Sequence, residues 1–130
     1  MNTPAELKYT TTDEWVKVDG NVATIGVTDY AQEQLSDVVF AEIVVSVGEM
    51  VKKSANIATL ESVKAAADVT LPVSGKVVSI NEELSQNPEI VNTEPYGKAW
   101  MIKVDMTDLK EYDAMMDAAG YIKFCEERSH

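Results

Sequence analysis

The sequence has very few of the residues that build redox or metal sites. It contains one cysteine, Cys125, and one histidine, His130, both close to the C-terminus. One cysteine cannot form an intramolecular disulfide, and this pair cannot supply the ligands of a structural zinc site. Nucleophilic catalysis by a cysteine and histidine pair is also disfavoured, because chain ends are usually frayed. We therefore expect no catalytic residue and no metal site.

Basic residues are scarce as well, and this limits the classes of partner. Eleven lysines and arginines stand against 22 aspartates and glutamates, which gives a formal net charge of −11 at pH 7. Nucleic-acid phosphates repel such a chain at long range. We expect no nucleic-acid partner, and instead protein partners with basic docking surfaces. A simpler interpretation stays open, namely that the acidity only keeps the protein soluble.

Long apolar runs are missing too. The most apolar stretch, residues 38–47, is interrupted by Glu42 and is far shorter than the roughly 20 residues that span a bilayer. Residues 1–6 lack the features of a signal peptide, and they are too short and acidic for a transit peptide. These features predict a cytoplasmic protein without a membrane partner, or a mitochondrial-matrix protein whose transit peptide has been removed.

Chain length and turn residues predict one small, mainly β domain over residues 1–130. The clearest local signal is a hairpin in which strands 15–18 and 22–27 flank Asp19-Gly20-Asn21. A short helix should follow, because Thr28 can cap the helix formers that end at Leu35. Further strands are predicted at residues 38–45, 55–63, 67–71, 76–80 and 99–104. Many short strands are typical of a barrel or sandwich.

The C-terminal region has a helical pattern. Asp108 and Glu111 have the spacing of a capping box. Four apolar residues that follow have the spacing of one helical face: Leu109, Tyr112, Met115 and Met116. Gly120 then separates a last segment, residues 121–127. We predict that residues 107–127 form a helical extension packed on the β core, so the fold class is mainly β with α additions.

One lysine lies among small residues between two predicted strands. The segment reads Leu60-Glu61-Ser62-Val63-Lys64-Ala65-Ala66-Ala67-Asp68. Most surface lysines are only solvated charges. Three alanines in succession are poor strand formers and leave the amine of Lys64 sterically open, as an enzyme that modifies this amine would require. Alanine runs also occur without such a role, so the residues alone leave the function of Lys64 undecided.

The segment Glu61-Ser62-Val63-Lys64-Ala65 resembles the lipoyl-lysine hairpin of the glycine cleavage H proteins. The resemblance extends in order along nearly the whole chain, through Glu14-Trp15-Val16 and residues 22–32, 37–40, 47–48, 51–53, 88–92 and 95–97. It implies a flattened barrel or sandwich hybrid of two small antiparallel sheets, of the lipoyl or biotinyl carrier type, with a short internal helix and C-terminal helices. It also implies covalent lipoate on Lys64, with Glu61, Ser62, Val63 and Ala65 recognised as parts of the hairpin.

The same resemblance implies a carrier rather than an enzyme. The lipoyl arm would take the aminomethyl group of glycine from a pyridoxal-phosphate-dependent glycine decarboxylase to a tetrahydrofolate-dependent aminomethyltransferase. A dihydrolipoyl dehydrogenase that uses FAD and NAD would then reoxidise the arm. A lipoate ligase, or an octanoyl or lipoyl transferase, would attach the cofactor.

Family resemblance also places Glu14, and with it Thr12 and Asp68, near a cleft where the loaded arm can rest. A carboxylate there would attract the cationic aminomethyl group. The alternative for Glu14 and Asp68 is that both are ordinary exposed acids. Three departures from the family pattern bear on partner docking and one turn: Asp13 replaces a common His, Ser54 replaces a frequent Gly, and Val44-Val45-Ser46 replaces Leu-Pro-Glu.

Other functions for Lys64 are weaker. A biotin carrier normally has methionines on both sides of its lysine, where this chain has Val63 and Ala65. A lipoyl domain of a 2-oxo acid dehydrogenase is shorter and favours Asp before the lysine, and an H-like relay of lipoyl groups stays possible. A Schiff-base lysine would need a desolvated pocket, for which an alanine-rich tip is a poor place.

Overall fold

The structure, a computed structural model, describes residues 1–128, so His130 lies outside the described part of the chain. Within residues 1–128 the strands are β1 (Lys8–Tyr9), β2 (Glu14–Asp19), β3 (Val22–Val27), β4 (Val38–Ile43), β5 (Met50–Val51), β6 (Asn56–Ser62), β7 (Ala66–Thr70), β8 (Gly75–Ile80) and β9 (Ile102–Met106). The helices are α1 (Asp29–Leu35), α2 (Glu83–Gln86), α3 (Ile90–Thr93), α4 (Leu109–Asp113) and α5 (Ala118–Arg128).

These strands form two antiparallel sheets, as the resemblance noted in the sequence implies. The larger sheet has the order β1-β2-β3-β9-β8-β5, and the smaller sheet has the order β4-β6-β7. Buried side chains from both sheets, among them Ile25, Leu60 and Val104, belong to one apolar core. Burial of such apolar surface, worth about 25 cal/mol per Å², is the main force that holds the two sheets together. The fold class predicted from the sequence is therefore confirmed.

The N-terminal hairpin and the first helix form where they were predicted. Asp19 pairs with Val22, so that Gly20 and Asn21 make a two-residue turn between β2 and β3. Gly20 has a φ of +63°, which glycine adopts without steric cost. Thr28 caps α1, because its Oγ1 accepts a hydrogen bond of 3.2 Å from the backbone N–H of Ala31.

An aromatic cluster attaches the C-terminal helix α5 to the sheet. The rings of Tyr9 and Tyr121 stack with their centroids 4.8 Å apart. Trp15 belongs to the same buried cluster and donates its indole N–H to the backbone oxygen of Pro95 over 2.9 Å. The C-terminus is thus helical and packed on strands, as predicted.

The prediction of one continuous helical face in this region is wrong. α4 ends at Asp113, and Met116 then exchanges two backbone hydrogen bonds with Tyr9, of 2.8 and 3.0 Å. This extended bridge interrupts the helix. Gly120 lies inside α5 rather than before it, and Leu109 is 51% exposed instead of facing the core.

The predicted capping box is also only half formed. Asp108 does cap α4, because its Oδ1 accepts a hydrogen bond of 3.0 Å from the backbone N–H of Lys110. Glu111 does not complete the box. Its carboxylate accepts hydrogen bonds from the backbone N–H of Ser74 at 2.7 Å and from the Ser74 hydroxyl at 3.0 Å. Glu111 therefore binds α4 to the β core.

The last strand begins later than the predicted range 99–104. The backbone N–H of Ala99 donates to the carbonyl of Glu94, and that of Trp100 donates to the carbonyl of Gly97. These two residues therefore belong to a turn and do not pair with a neighbouring strand. The short helices α2 and α3 and the two-residue strands β1 and β5 were not predicted. Among residues 1–128, no helix is long and apolar enough to cross a membrane.

Candidate functional site

Lys64 lies at the tip of the hairpin formed by β6 and β7, and it is exposed. The strands pair up to Glu61 and Ala66, and Ser62 closes the turn. The Ser62 hydroxyl accepts hydrogen bonds from the N–H groups of Lys64 at 3.3 Å and of Ala65 at 3.0 Å, and it donates to the carbonyl of Ala65 at 3.1 Å. The backbone around Lys64 is therefore fixed by the turn itself while the amine is open to solvent.

A cleft of about 280 Å³ lies beside this hairpin. One wall is the hairpin itself, including Ala65 next to the lysine, and another is α1. Its lining includes all three residues predicted to hold the arm: Thr12, Glu14 and Asp68. The structure thus brings the predicted arm-docking residues and the root of Lys64 to one cleft.

Glu14 is buried, with 2% of its surface exposed, so the interpretation of Glu14 as an ordinary exposed acid is wrong. Its Oε1 accepts hydrogen bonds from the hydroxyls of Thr12 at 2.6 Å and Thr10 at 2.7 Å. Burial raises the pKa of the Glu14 carboxyl, and the threonine hydrogen bonds oppose this rise. A buried carboxylate with few counter-charges is a strong site for a small cation.

Asp68 contributes less than Glu14. It is exposed, as the alternative interpretation expects, and it accepts a hydrogen bond of 3.4 Å from Thr59 on the neighbouring strand. Neighbouring residues of β7 alternate between the two faces of the sheet, so the side chains of Ala67 and Val69 point to the opposite side from Asp68. Solvent screens an exposed carboxylate.

Two further residues of this site were not predicted. The hydroxyls of Thr10 and Thr12 donate to the same oxygen of Glu14, and the Thr10 hydroxyl also accepts a hydrogen bond of 3.0 Å from the backbone N–H of Glu14. The run Thr10-Thr11-Thr12 ahead of an acid was the available sequence signal. Asp13 has a φ of +72°, and its carboxylate accepts hydrogen bonds from the Tyr121 hydroxyl and the Arg128 guanidinium.

The contact between Asp13 and Arg128 links α5 to the loop that contains Thr12 and leads into β2 at Glu14. The Arg128 guanidinium also lies over two aromatic rings, 3.9 Å from the ring centroid of Tyr30 and 4.5 Å from that of Phe124. Cation–π contacts of this kind hold a side chain in place more firmly than an exposed ion pair alone. The C-terminal helix therefore helps to position the cleft.

Glu14 also lines a second cleft, of about 270 Å³, on the side of Ser54 and Met115. Its lining contains no residue of the hairpin turn around Lys64 within the described part of the chain. The first cleft is thus the one that is continuous with the root of Lys64. Among residues 1–128, no three His, Cys, Asp or Glu side chains come together as a metal site.

Comparison with known proteins identifies the family. Residues 7–128 match the family described as glycine cleavage H-protein. The chain belongs to the glycine cleavage H-protein family. It is 50% identical over 122 residues to the mitochondrial glycine cleavage system H protein 2 of Arabidopsis thaliana, which covers 94% of this chain and 78% of that protein. It is 49% identical over 127 residues to the H protein of Halothermothrix orenii, with 98% of each chain covered.

A solved structure shares the fold. The glycine cleavage system H protein of Mycobacterium marinum superposes with a TM-score of 0.82 and 27% identity, over 98% of this chain and 99% of that one. Family membership confirms the predicted role of a lipoyl carrier in the glycine cleavage system. Neither a lipoyl relay nor a lipoyl domain of a 2-oxo acid dehydrogenase is favoured. The relatives include both a mitochondrial protein and bacterial proteins.

Proposed function

We propose that Lys64 is the residue that carries the lipoyl group. The observation that carries this proposal is the exposed amine at a rigid hairpin tip, beside a cleft that contains a buried carboxylate. The residues present fit the cofactor. Ser62 fixes the backbone that presents the amine, and the apolar wall of the cleft, which includes Leu35, Leu60 and Val69, suits an uncharged hydrocarbon chain.

Attachment changes the chemistry of the lysine itself. The Nζ of Lys64 attacks the carbonyl carbon of an activated acyl donor, the C–N bond forms, the bond to the leaving group breaks, and the amine loses a proton. Amide formation thereby removes the positive charge of the side chain. An uncharged arm can lie along an apolar wall at far lower cost than an ammonium group. Once attached, lipoate supplies a dithiolane that accepts two electrons and an aminomethyl group from glycine.

The chain's own residues then protect the loaded state. The carboxylate of Glu14, which accepts hydrogen bonds from Thr12 in the cleft lining and from Thr10 outside this lining, attracts the cationic aminomethyl end and keeps water from it. Asp68 adds a weaker, solvent-screened attraction at the border of the cleft. The protein supplies position and charge, and it is not itself a catalyst.

The partners that this function requires are four enzymes. They are the pyridoxal-phosphate-dependent glycine decarboxylase, the tetrahydrofolate-dependent aminomethyltransferase, the dihydrolipoyl dehydrogenase, and a lipoate ligase or an octanoyl or lipoyl transferase. A tether confines the reactive end near each enzyme's active site without tight binding between the proteins. The compartment we propose is the bacterial cytoplasm or the mitochondrial matrix, since one relative is named mitochondrial and others are bacterial.

The variant Lys64→Arg tests this function. Arginine keeps the positive charge and most of the bulk, but its guanidinium is not an acylatable nucleophile under these conditions. We expect the variant to fold normally, to gain no lipoyl mass with a lipoate ligase, ATP and lipoate, and to support no glycine decarboxylation. Intact-mass spectrometry measures the first effect directly.

Lys52 and Lys53 are the matched controls, because both are exposed and lie in the separate turn that connects β5 and β6. Lys52→Arg and Lys53→Arg should each gain one lipoyl group to the normal extent. Normal lipoylation of the Lys64→Arg variant would show that another lysine is the attachment site.

A further inference from the structure

The outer face of the smaller sheet is an exposed surface with an unusual composition beside Lys64. We define this outer face by its exposed side chains, Val39, Phe40, Glu42, Glu61, Val63, Ala66 and Asp68. Three of them are large apolar side chains that are well exposed: Val63 by 69%, Val39 by 58% and Phe40 by 42%. They lie close to the hairpin tip, since Phe40 pairs with Glu61 and the N–H of Val63 donates to the carbonyl of Asp37 over 3.1 Å.

A β-bulge produces this apolar patch. The register of β4 against β6 shifts between Val38 and Phe40. Regular alternation would turn one of two consecutive residues toward the core, but here Val39 and Phe40 are both exposed between the buried Val38 and Ala41. The bulge thus presents two neighbouring apolar side chains to solvent. Exposed apolar side chains that are neighbours and are rimmed by polar residues are typical of protein interaction sites.

Apart from Lys64 itself, the charged residues on the strands around the patch are all acidic. Strands β4, β6 and β7 contain Glu42, Glu61 and Asp68 but no lysine or arginine. Lys64 is the only basic residue from position 54 to position 75. The charge complement of this face is a surface with an apolar centre and a rim of lysine and arginine.

We propose that the outer face is the docking surface for the enzyme that lipoylates Lys64, through an apolar patch with a basic rim. This inference rests on the proposed role of Lys64. The enzymes that use the loaded arm react at its far end, whereas the lipoylating enzyme must form a bond at the Nζ of Lys64 and hold the root of the arm. Ala67 and Val69 line the cleft from the opposite face of β7, and of the outer-face residues only Asp68 borders the cleft, so the rest of the outer face stays accessible whatever the cleft contains.

The double variant Val39→Thr/Phe40→Thr tests the apolar part. Threonine keeps the β propensity, and both positions are exposed, so the fold is retained. We expect the KM of a lipoate ligase for the unmodified protein to rise about tenfold, the usual loss for a central apolar contact. The rate of lipoyl-mass gain is measured by intact-mass spectrometry over a range of carrier concentrations. Circular dichroism and thermal melting check the fold.

Val78→Thr is the matched control. Val78 is 42% exposed, as Phe40 is, and it also lies at a bulge, between Val77 and Ser79 of β8 in the larger sheet. The KM of the ligase for this variant should equal that for the wild type.

Glu42→Gln tests the charged rim. This variant should raise the KM of the ligase about threefold at low salt, and the effect should disappear at high salt. Asp19→Asn, in β2 of the larger sheet, is the control and should leave the KM unchanged at either salt concentration.

The outcomes separate this proposal from the function of Lys64. If the wild type gains one lipoyl group and the double variant has an unchanged KM, the docking proposal is wrong and the role of Lys64 stands. If the wild type gains no lipoyl group, both the docking proposal and the proposed role of Lys64 are wrong. The double variant is finally lipoylated to completion by long incubation and assayed with glycine decarboxylase. A loss there as large as the loss in lipoylation would show that both enzymes use this face, and it would overturn the assignment of the face to the lipoylating enzyme in particular.

Discussion

Glu14 is an acid in a position where its charge is costly. Its side chain is almost completely buried, and the groups that stabilise its charge are neutral: the hydroxyls of Thr10 and Thr12 and the backbone of Thr70. This arrangement has a stability cost and a functional use, and one substitution separates the two.

Glu14→Gln should shorten the lifetime of the loaded carrier and leave lipoylation intact. Glutamine keeps the shape and an oxygen that accepts the threonine hydrogen bonds, but it loses the charge that attracts the aminomethyl group. We expect hydrolysis of the loaded species, followed by release of ammonia, to become about tenfold faster, since a charge-assisted hydrogen bond contributes roughly 1.5–3 kcal/mol. Asp68→Asn is the comparison and should have a much smaller effect. An unchanged hydrolysis rate in Glu14→Gln would remove Glu14 from the mechanism.

The same variant has a predictable dependence of stability on pH. Because burial raises the pKa of Glu14 in the folded state, ionisation costs folding free energy as the pH rises through that pKa. Below the ordinary glutamate pKa of about 4.3 the carboxyl is protonated in both states, and this cost is absent. The melting temperature of Glu14→Gln relative to the wild type should therefore rise from pH 4 to pH 8. A difference that is constant over this range would contradict the assignment of a raised pKa.

At the scale of elements, the turn between β5 and β6 contains a strained position. Ser54 has a φ of +77°, in the left-handed region that favours glycine, and it occupies the position where the family frequently has Gly. Ser54→Gly should raise the free energy of unfolding by about 1 kcal/mol in urea denaturation. Gly48→Ser is the reverse substitution, because Gly48 has a φ of +93° and an added Cβ would meet no atom within 4 Å. This variant should lower the free energy of unfolding by a similar amount through backbone strain alone. If both variants were as stable as the wild type, the argument from backbone strain would be wrong.

Elements that depend on neighbouring residues were predictable from the sequence. The turn at Gly20 and the cap at Thr28 need only residues within a few positions, and both formed as expected. The spacing of strands and turn residues predicted a barrel or sandwich, and the resemblance to the family specified two small antiparallel sheets. The likeness of the segment around Lys64 to a known hairpin then supplied the function, which the alanine run alone left undecided.

Elements whose partners are far away in sequence were not predictable. Glu111 has the local spacing of a capping residue, but its donor is Ser74, 37 positions earlier. Met116 ends a helical pattern because it pairs with Tyr9 at the other end of the chain. The burial of Glu14 likewise depends on how β2 packs near β7, which local hydrophobicity does not encode. In each case a long-range contact outweighs the local preference.

The whole molecule carries a net charge of −11, and the two interpretations of this charge differ in salt dependence. If the acidity guides docking, the KM of glycine decarboxylase for the lipoylated protein should rise severalfold between about 50 and 500 mM salt while kcat stays constant, because salt screens exposed charges. Decarboxylation of glycine by the same enzyme with free lipoate as the acceptor is the control for salt effects on the enzyme. A flat KM would leave solubility as the only role of the acidic surface.

The turn at Ser62 is closed by hydrogen bonds among residues 62–65 and makes no use of the lysine side chain. Acylation of the Lys64 Nζ therefore breaks none of these hydrogen bonds, and we expect the backbone at the tip to keep one shape before acylation, after acylation and at each stage of loading. An enzyme that binds the hairpin would then not distinguish these states by its shape. That information resides in the arm alone, in its end group and in whether it lies in the cleft or points into solvent.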